Sequence, residues 1–139
     1  MSQDLFLTIA EPTGFAASAC ASFVERYGLR LEFPEGFSLD DQIGFLPCLV
    51  TRAGDPAAIE TGFECDVLEN TADSRCQLSL RVSAGAGAME WALAHAVAAY
   101  FVAETGATLE DPQTDQEYQP TNISELDALV RELLDEATR

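Results

Sequence analysis

The chain has 139 residues, enough for one globular domain with a single core and too few for two. Its 24 acidic residues face only seven arginines and no lysine, so the formal net charge is −17. This charge excludes a nucleic-acid binder that tracks phosphates with clustered basic residues, and it disfavours binding to an anionic membrane. No apolar run approaches the ~20 residues that span a bilayer. Because the N-terminus lacks the cationic segment of a secretory signal, we expect a cytoplasmic protein.

The first elements of the chain are predicted from hydrophobic spacing. Period-two alternation predicts strands over 4–10 and 29–33, and apolar residues at helical spacing predict a helix over 13–27 between them. Residues 45–52 are also β-like. Because Pro47 cannot donate to a ladder, we expect an edge strand or an extended segment there.

The clearest pattern is a pair of amphipathic strands over 57–69 and 75–83, joined by a short polar loop. Such a pair predicts an antiparallel hairpin. Pairing position i with about 143 − i places Phe63 opposite Leu80. The residues predicted to be buried on one face are Phe63, Cys65, Leu78 and Leu80.

The other face of the first of these strands is acidic, with Glu60, Glu64 and Asp66 at alternate positions. The predicted register puts Arg81 diagonal to Glu60 and Glu64. These three carboxylates are the candidate contact residues for a partner.

The C-terminal part is predicted to contain two helices with a short strand between them. A helix over 88–105 is apolar on nearly every side and is therefore expected to be the buried central helix. A strand over 107–110 follows, and Ser124 is placed to cap a last helix that extends to about residue 137. The residues of the two helices predicted to lie in the core are Trp91, Val97, Phe101, Leu126, Leu129 and Leu133.

The predicted fold class is α+β in one globular domain over 1–139. The sheet is antiparallel, with about four to five strands and about three helices packed on it, in the order β-α-β-β-β-β-α-β-α. The four cysteines have no C-x-x-C spacing and are interpreted as buried thiols in a reducing compartment. Arginine without lysine, in an alanine-rich chain, indicates a GC-rich bacterial genome.

Residues that could carry chemistry are few. His95 is the only histidine and lies on the apolar helix, where a packed histidine is the expected role. The acidic pairs Asp40-Asp41 and Glu110-Asp111 fit a solvated surface better than a catalytic or calcium site. No catalytic, cofactor-binding or metal-binding residues are predicted.

One stretch resembles small acidic uncharacterised bacterial proteins, some of which are immunity proteins of toxin systems. The similarity lies in a helix followed by Thr105-Gly106-Ala107 and Leu109-Glu110-Asp111-Pro112-Gln113, and in Thr61-Gly62-Phe63-Glu64. It covers about a third of the chain and departs from the family's pattern at Ala107, where glycine is expected. The resemblance implies a structural likeness and brings no catalytic residues with it.

Two functions remain open from the sequence. The first is a non-enzymatic, immunity-like module whose acidic surface binds a basic protein, because a negative field accelerates encounter with a cationic surface. The second is a small enzyme or ligand-binding domain with a pocket between the sheet and the 88–105 helix, using His95, Tyr100, a cysteine and a carboxylate. A homodimer is compatible with either function. Charge that serves only solubility is a third explanation of the acidic surface.

Overall fold

A computed structural model of the chain describes residues 3–9, 17–32, 43–52, 58–68, 76–82 and 87–137. Within these residues, seven strands form one sheet and three α-helices pack on it. The strands are β1 (Gln3–Ile9), β2 (Leu29–Glu32), β3 (Ile43–Arg52), β4 (Ala58–Leu68), β5 (Cys76–Val82), β6 (Thr108–Asp111) and β7 (Gln116–Tyr118). The helices are α1 (Ala17–Val24), α2 (Ala88–Thr105) and α3 (Ile123–Ala137). The predicted α+β class is confirmed.

The strands lie in the order β2-β3-β4-β5-β1-β6-β7, and every pair is antiparallel. The N-terminal strand β1 is therefore inserted between β5 and β6, where it joins the β4–β5 hairpin to the β6–β7 hairpin. The sheet has more strands than the four to five expected. One of them, β7, was not predicted because its three residues are too few to show a period.

The central helix α2 is buried as predicted, and every residue from 92 to 102 is at most 3% exposed. It contacts β1, β4, β5 and β6, and both α1 and α3 pack against it. Val97, Phe101 and Leu126 lie in the core as predicted, whereas the other three predicted members are partly buried and pack against it: Trp91, Leu129 and Leu133. Among the described helices, none is long and apolar enough to cross a bilayer.

The two faces of the sheet differ in their side chains. Leu5 and Leu7 of β1 are fully buried on the face covered by the helices, as is Leu80 of β5. Phe6 and Thr8, which alternate with these leucines on β1, belong to the opposite face and are partly exposed. This alternation confirms the amphipathic strand predicted at the N-terminus.

The β4–β5 hairpin is antiparallel as predicted, but its register was wrong by two residues. Cys65 lies opposite Leu80, and Glu64 lies directly opposite Arg81 rather than diagonal to it. A period-two pattern fixes which face a residue occupies, yet it cannot distinguish registers that differ by two. Leu80 is buried as predicted; the side chains of Phe63, Cys65 and Leu78 lie outside the described part of the structure.

The prediction that Pro47 marks an edge strand was wrong for β3 as a whole, because β3 pairs with both β2 and β4. The pairing with β2 extends only from Leu49 to Arg52. Pro47 therefore lies in a part of β3 that β2 does not reach, and its missing N–H breaks no bond of that ladder.

The start of α3 differs from its predicted cap, whereas the predicted start of the first helix is not among the described residues. Residues 13–16 lie outside the described residues, and a 3-10 turn over Glu25–Tyr27 ends the first helical segment. Ser124 does not cap α3 but lies inside it, since a 3-10 turn over Pro120–Asn122 precedes the helix. The side chain of Asn122, rather than a serine hydroxyl, satisfies a backbone N–H there.

Candidate functional site

The predicted contact residues occupy alternate positions of β4, in the middle of the sheet. Glu60 pairs with Leu49 of β3, Glu64 with Arg81 of β5, and Asp66 with Ser79. The side chains of the three acidic residues lie outside the described part of the structure, so their predicted role in binding stays a prediction.

Arg81 forms an ion pair with the neighbouring strand β1. Its Nε donates to Asp4 Oδ1 of β1 over 2.9 Å, across a directly paired position. The sequence predicts only Glu60 and Glu64 as its partners, because the insertion of β1 beside β5 leaves no local pattern.

The strand registers connect β4 to the far hairpin in one line, which we call the cross-sheet row. Asp66 pairs with Ser79, Ser79 with Phe6, Phe6 with Glu110, and Glu110 with Glu117. Directly paired residues lie on the same face of a sheet, so the cross-sheet row follows the face that carries Phe6, opposite the helices. The row thus places an acidic residue on β4 and two more at its other end, with an aromatic ring between them.

The β6–β7 end of the row is a concentrated acidic surface. Glu110 and Glu117 are exposed and face each other directly across the ladder, where like charges are destabilising. They line an open cleft of about 330 Å³ together with Asp111 and Asp115. Among the described residues, no arginine lies at ion-pair distance from Glu110, Asp115 or Glu117.

A hydrogen-bond network holds β7 to the start of α3. Asn122 Oδ1 accepts from the backbone N–H of Gln119 at 2.6 Å, and its Nδ2 donates to the Glu117 carbonyl at 3.1 Å and to Glu125 Oε2 at 2.9 Å. Gln119 Nε2 also donates to Glu117 Oε1 at 2.7 Å. The carboxylate of Glu117 is therefore positioned by its neighbours rather than neutralised.

Adjacent residues on β6 have opposite environments. Glu110 is exposed on the face that carries Phe6, whereas Asp111 is only 5% exposed and is directed toward α2. Asp111 Oδ1 accepts from the Gln113 N–H at 3.0 Å, and Oδ2 lies 3.8 Å from His95 Nε2. The pair Glu110-Asp111 is thus divided between the surface and the interior, and Asp40-Asp41 lies outside the described residues.

Burial and bonding act against each other on Asp111. Burial acts to raise the pKa of Asp111, but interaction with His95 and with the Gln113 N–H outweighs it, so the pKa lies below the ordinary value of 3.8. Asp111 is therefore a carboxylate held ionised in a buried position.

Two of the residues considered for a catalytic pocket, His95 and Tyr100, lie in the core. His95 is 3% exposed and Tyr100 is 2% exposed, and neither lines the cleft beside Glu110 and Glu117 or the cleft between α1 and α3. Tyr100 packs edge-to-face against Phe23 and Phe101. Cys20 is fully buried, and the side chains of the other three cysteines lie outside the described residues.

A second cleft, of about 450 Å³, lies between the end of α1 and the start of α3. The Arg26 guanidinium stacks 3.6 Å above the Phe23 ring, and that of Arg131 lies 5.2 Å above the Tyr27 ring. Arg131 Nε also donates to Asp127 Oδ2 at 3.2 Å, one helical turn earlier on α3. Burial, hydrogen bonding to Asp127 and its negative charge raise the pKa of Tyr27 well above its ordinary value. The interactions of Arg131 and Asp127 with Tyr27 join α3 to the 3-10 turn that follows α1.

In the described ranges, no three side chains of His, Cys, Asp or Glu come close enough together to hold a metal ion. Comparison with known proteins adds no relative, because no family model and no curated protein matches the chain. The candidate site is therefore assigned from its own geometry.

Proposed function

We propose that this chain is a small bacterial cytoplasmic protein that acts as a non-enzymatic, immunity-like binding module for a basic protein partner. The contact surface is the acidic face of the sheet, from Glu60, Glu64 and Asp66 on β4 to Glu110 and Glu117 on the β6–β7 hairpin. The partner's chemistry is a surface rich in arginine and lysine, because such side chains pair with exposed carboxylates.

The observation that carries the proposal is the direct pairing of Glu110 with Glu117 across β6 and β7. Two like charges at this position cost stability, and no arginine among the described residues offsets them. A cationic side chain from a partner would relieve this repulsion on binding. A surface that served solubility alone could distribute its charges without facing pairs.

The physical consequence is mainly kinetic. A net charge of −17 attracts a cationic protein over long distances and raises the association rate, whereas dissociation depends on short-range contacts. Phe6 lies in the centre of the cross-sheet row and is partly exposed, which gives the surface an aromatic contact between its acidic ends.

The test compares two charge-reversed faces with a matched control. The protein is immobilised and exposed to lysate of its host at low salt, the captured protein is identified, and its purified form is used for binding kinetics. The variant pairs Glu60→Lys/Glu64→Lys and Glu110→Lys/Glu117→Lys each reverse two charges on the proposed surface. The control pair Glu132→Lys/Glu136→Lys makes the same charge change on exposed positions of α3.

We expect a basic partner whose association with both surface variants is slower, by about tenfold or more, than with the control. High salt should remove the difference because it screens the attraction. Failure to capture a basic partner at low salt, or equal association rates for the surface variants and the control, would contradict the proposal.

A further inference from the structure

A hydrogen bond to the helix backbone fixes the tautomer of the neutral His95 ring. Its Nδ1 lies 2.8 Å from the carbonyl oxygen of Trp91, one turn earlier on α2. A carbonyl oxygen can only accept a hydrogen bond, so Nδ1 must carry a proton and donate it. The Trp91 ring lies against the imidazole, with centroids 5.8 Å apart, and helps to fix its orientation.

In the neutral imidazole the other ring nitrogen, Nε2, therefore carries no proton and can only accept a hydrogen bond. Nε2 is buried, has no hydrogen-bond partner, and lies 3.8 Å from Asp111 Oδ2, which is too far for a hydrogen bond. In this state a lone pair faces an ionised carboxylate in the interior, which is unfavourable for both groups. A second proton on the imidazole would convert Nε2 into a donor and the two facing acceptors into an ion pair.

Asp111 links this pair to the shape of the β6–β7 turn. Its Oδ1 accepts from the Gln113 N–H, and that bond organises the turn over residues 112–115. Residue Asp115 completes the turn in the left-handed conformation, with φ 56°. The position of the hairpin therefore depends on where the carboxylate of Asp111 is held.

The charged and titratable groups around the pair come from three further elements. Tyr118 on β7 is buried, and the negative charges of Asp111 and of Glu125 on α3 add to burial in raising the pKa of Tyr118. Thr114 in the turn interacts with the Asp111 carboxylate. The described residues of β1 that pack beneath α2, Leu5 and Leu7, are apolar. His95 is therefore the one cationic or potentially cationic group found near Asp111 among the described residues.

We propose that His95 and Asp111 form a proton-dependent clamp between α2 and the β6–β7 hairpin. When the imidazole takes a proton from solvent, Nε2–H donates to Asp111 Oδ2 and the hairpin is held against the helix. When that proton is lost, the two facing acceptors separate and the hairpin loosens locally. The clamp goes beyond the proposed binding function and does not require it, although it acts on the hairpin that carries Glu110 and Glu117.

The test uses the full chain without any partner. Because His95 is the only histidine, its ring signals in a long-range proton–nitrogen NMR spectrum are unambiguous. The spectrum reports the tautomer and the protonation of the ring as pH is raised. Amide exchange at Gln113, Gln116 and Tyr118, corrected for the intrinsic pH dependence, reports opening of the hairpin, and Phe101 on α2 serves as the reference for global unfolding.

We expect the proton on Nδ1 in the neutral ring, and a loss of hairpin protection by about tenfold at the pH at which His95 becomes neutral, with Phe101 unchanged. Asp111→Asn should remove the pH step, because its amide can still accept from Gln113 while its NH₂ donates to the unprotonated Nε2. Glu117→Gln, which neutralises an exposed carboxylate on the same hairpin, should keep the step.

Three results would overturn the clamp: a neutral ring with its proton on Nε2, titration of His95 without any change in hairpin protection, or a step that persists in Asp111→Asn. The first two are read from the wild-type protein, so they stand even where the variant does not fold. None of them involves a partner, and the binding proposal would survive each of them.

Discussion

The repulsion between Glu110 and Glu117 should be measurable as a gain in stability when one charge is removed. Directly paired residues have Cβ atoms about 4.5–5.5 Å apart, so we take about 6 Å between the exposed carboxylates. In water two unit charges at that distance repel by about 0.7 kcal/mol, which is within the range expected for exposed cross-strand pairs. Glu110→Gln should therefore raise the free energy of unfolding by roughly 0.5 kcal/mol at low salt.

The assay is urea unfolding of a double-mutant cycle with Glu117→Gln, in which the coupling term isolates the pair. A second cycle between Glu110 and Glu132 is the control, because Glu132 is exposed on α3 and belongs to the opposite side of the sheet. The first coupling should fall to about 0.1 kcal/mol in 1 M salt, where the Debye length is about 3 Å, and the control coupling should be near zero throughout. A destabilised Glu110→Gln, or a coupling that high salt leaves unchanged, would show that the two carboxylates do not face each other.

Four further measurements probe the rest of the fold. Phe101→Ala should lower the free energy of unfolding by about 3–5 kcal/mol, because Phe101 is only 2% exposed. The control Phe101→Leu should lower it by less than about 1.5 kcal/mol. If urea unfolding gave a loss below about 1 kcal/mol for the alanine variant, the ring would be exposed. Gly106→Ala should lower the free energy of unfolding by about 1–2 kcal/mol, because the residue has a φ of 74° and an added Cβ would contact nothing. An unchanged free energy of unfolding would exclude the left-handed conformation at this helix end. Folding lowers the pKa of Asp111, so the stability that its carboxylate contributes is complete above about pH 4 and is lost as pH falls through the lowered pKa. Asp111→Asn should therefore abolish this part of the loss of stability in acid, as measured by urea unfolding at several pH values. Folding raises the pKa of Tyr27, so the protein should lose stability as pH rises above 10. Tyr27→Phe should reduce this loss of stability. Tyrosinate absorbance reports the ionisation, and urea unfolding reports the stability.

The elements that the sequence predicted well are those with long, regular patterns. The apolar helix over 88–105 and the amphipathic strands around Cys65 and Leu80 repeat their signal over many residues, and the structure has them at nearly the predicted bounds. A two-residue register shift and the three-residue strand β7 leave no trace in such patterns. Both depend on which strands become neighbours, and this is decided by the whole sheet.

The candidate site was predictable only in part for the same reason. Glu60, Glu64 and Asp66 stand out in the sequence because they alternate with apolar residues on one strand. Glu110 and Glu117 are seven positions apart with a turn between them, and they become a facing pair only once β6 and β7 align. The pairing of His95 with Asp111 is equally invisible, since it joins a helix to a strand across the core.

The division of Glu110 and Asp111 between two faces of one strand makes binding and conformation separable in this protein. A charge change at Glu110 alters an exposed position of the cross-sheet row and leaves the buried carboxylate of Asp111 and its hydrogen bond to Gln113 in place. A change at Asp111 does the reverse, because the side chain is only 6% exposed and contributes little to a surface that a partner could touch. If a basic partner binds through the row, its affinity should fall on charge reversal at Glu110 and change little in Asp111→Asn. The two neighbouring carboxylates therefore report on different properties, and comparison of their variants distinguishes an electrostatic docking surface from a proton-controlled hairpin.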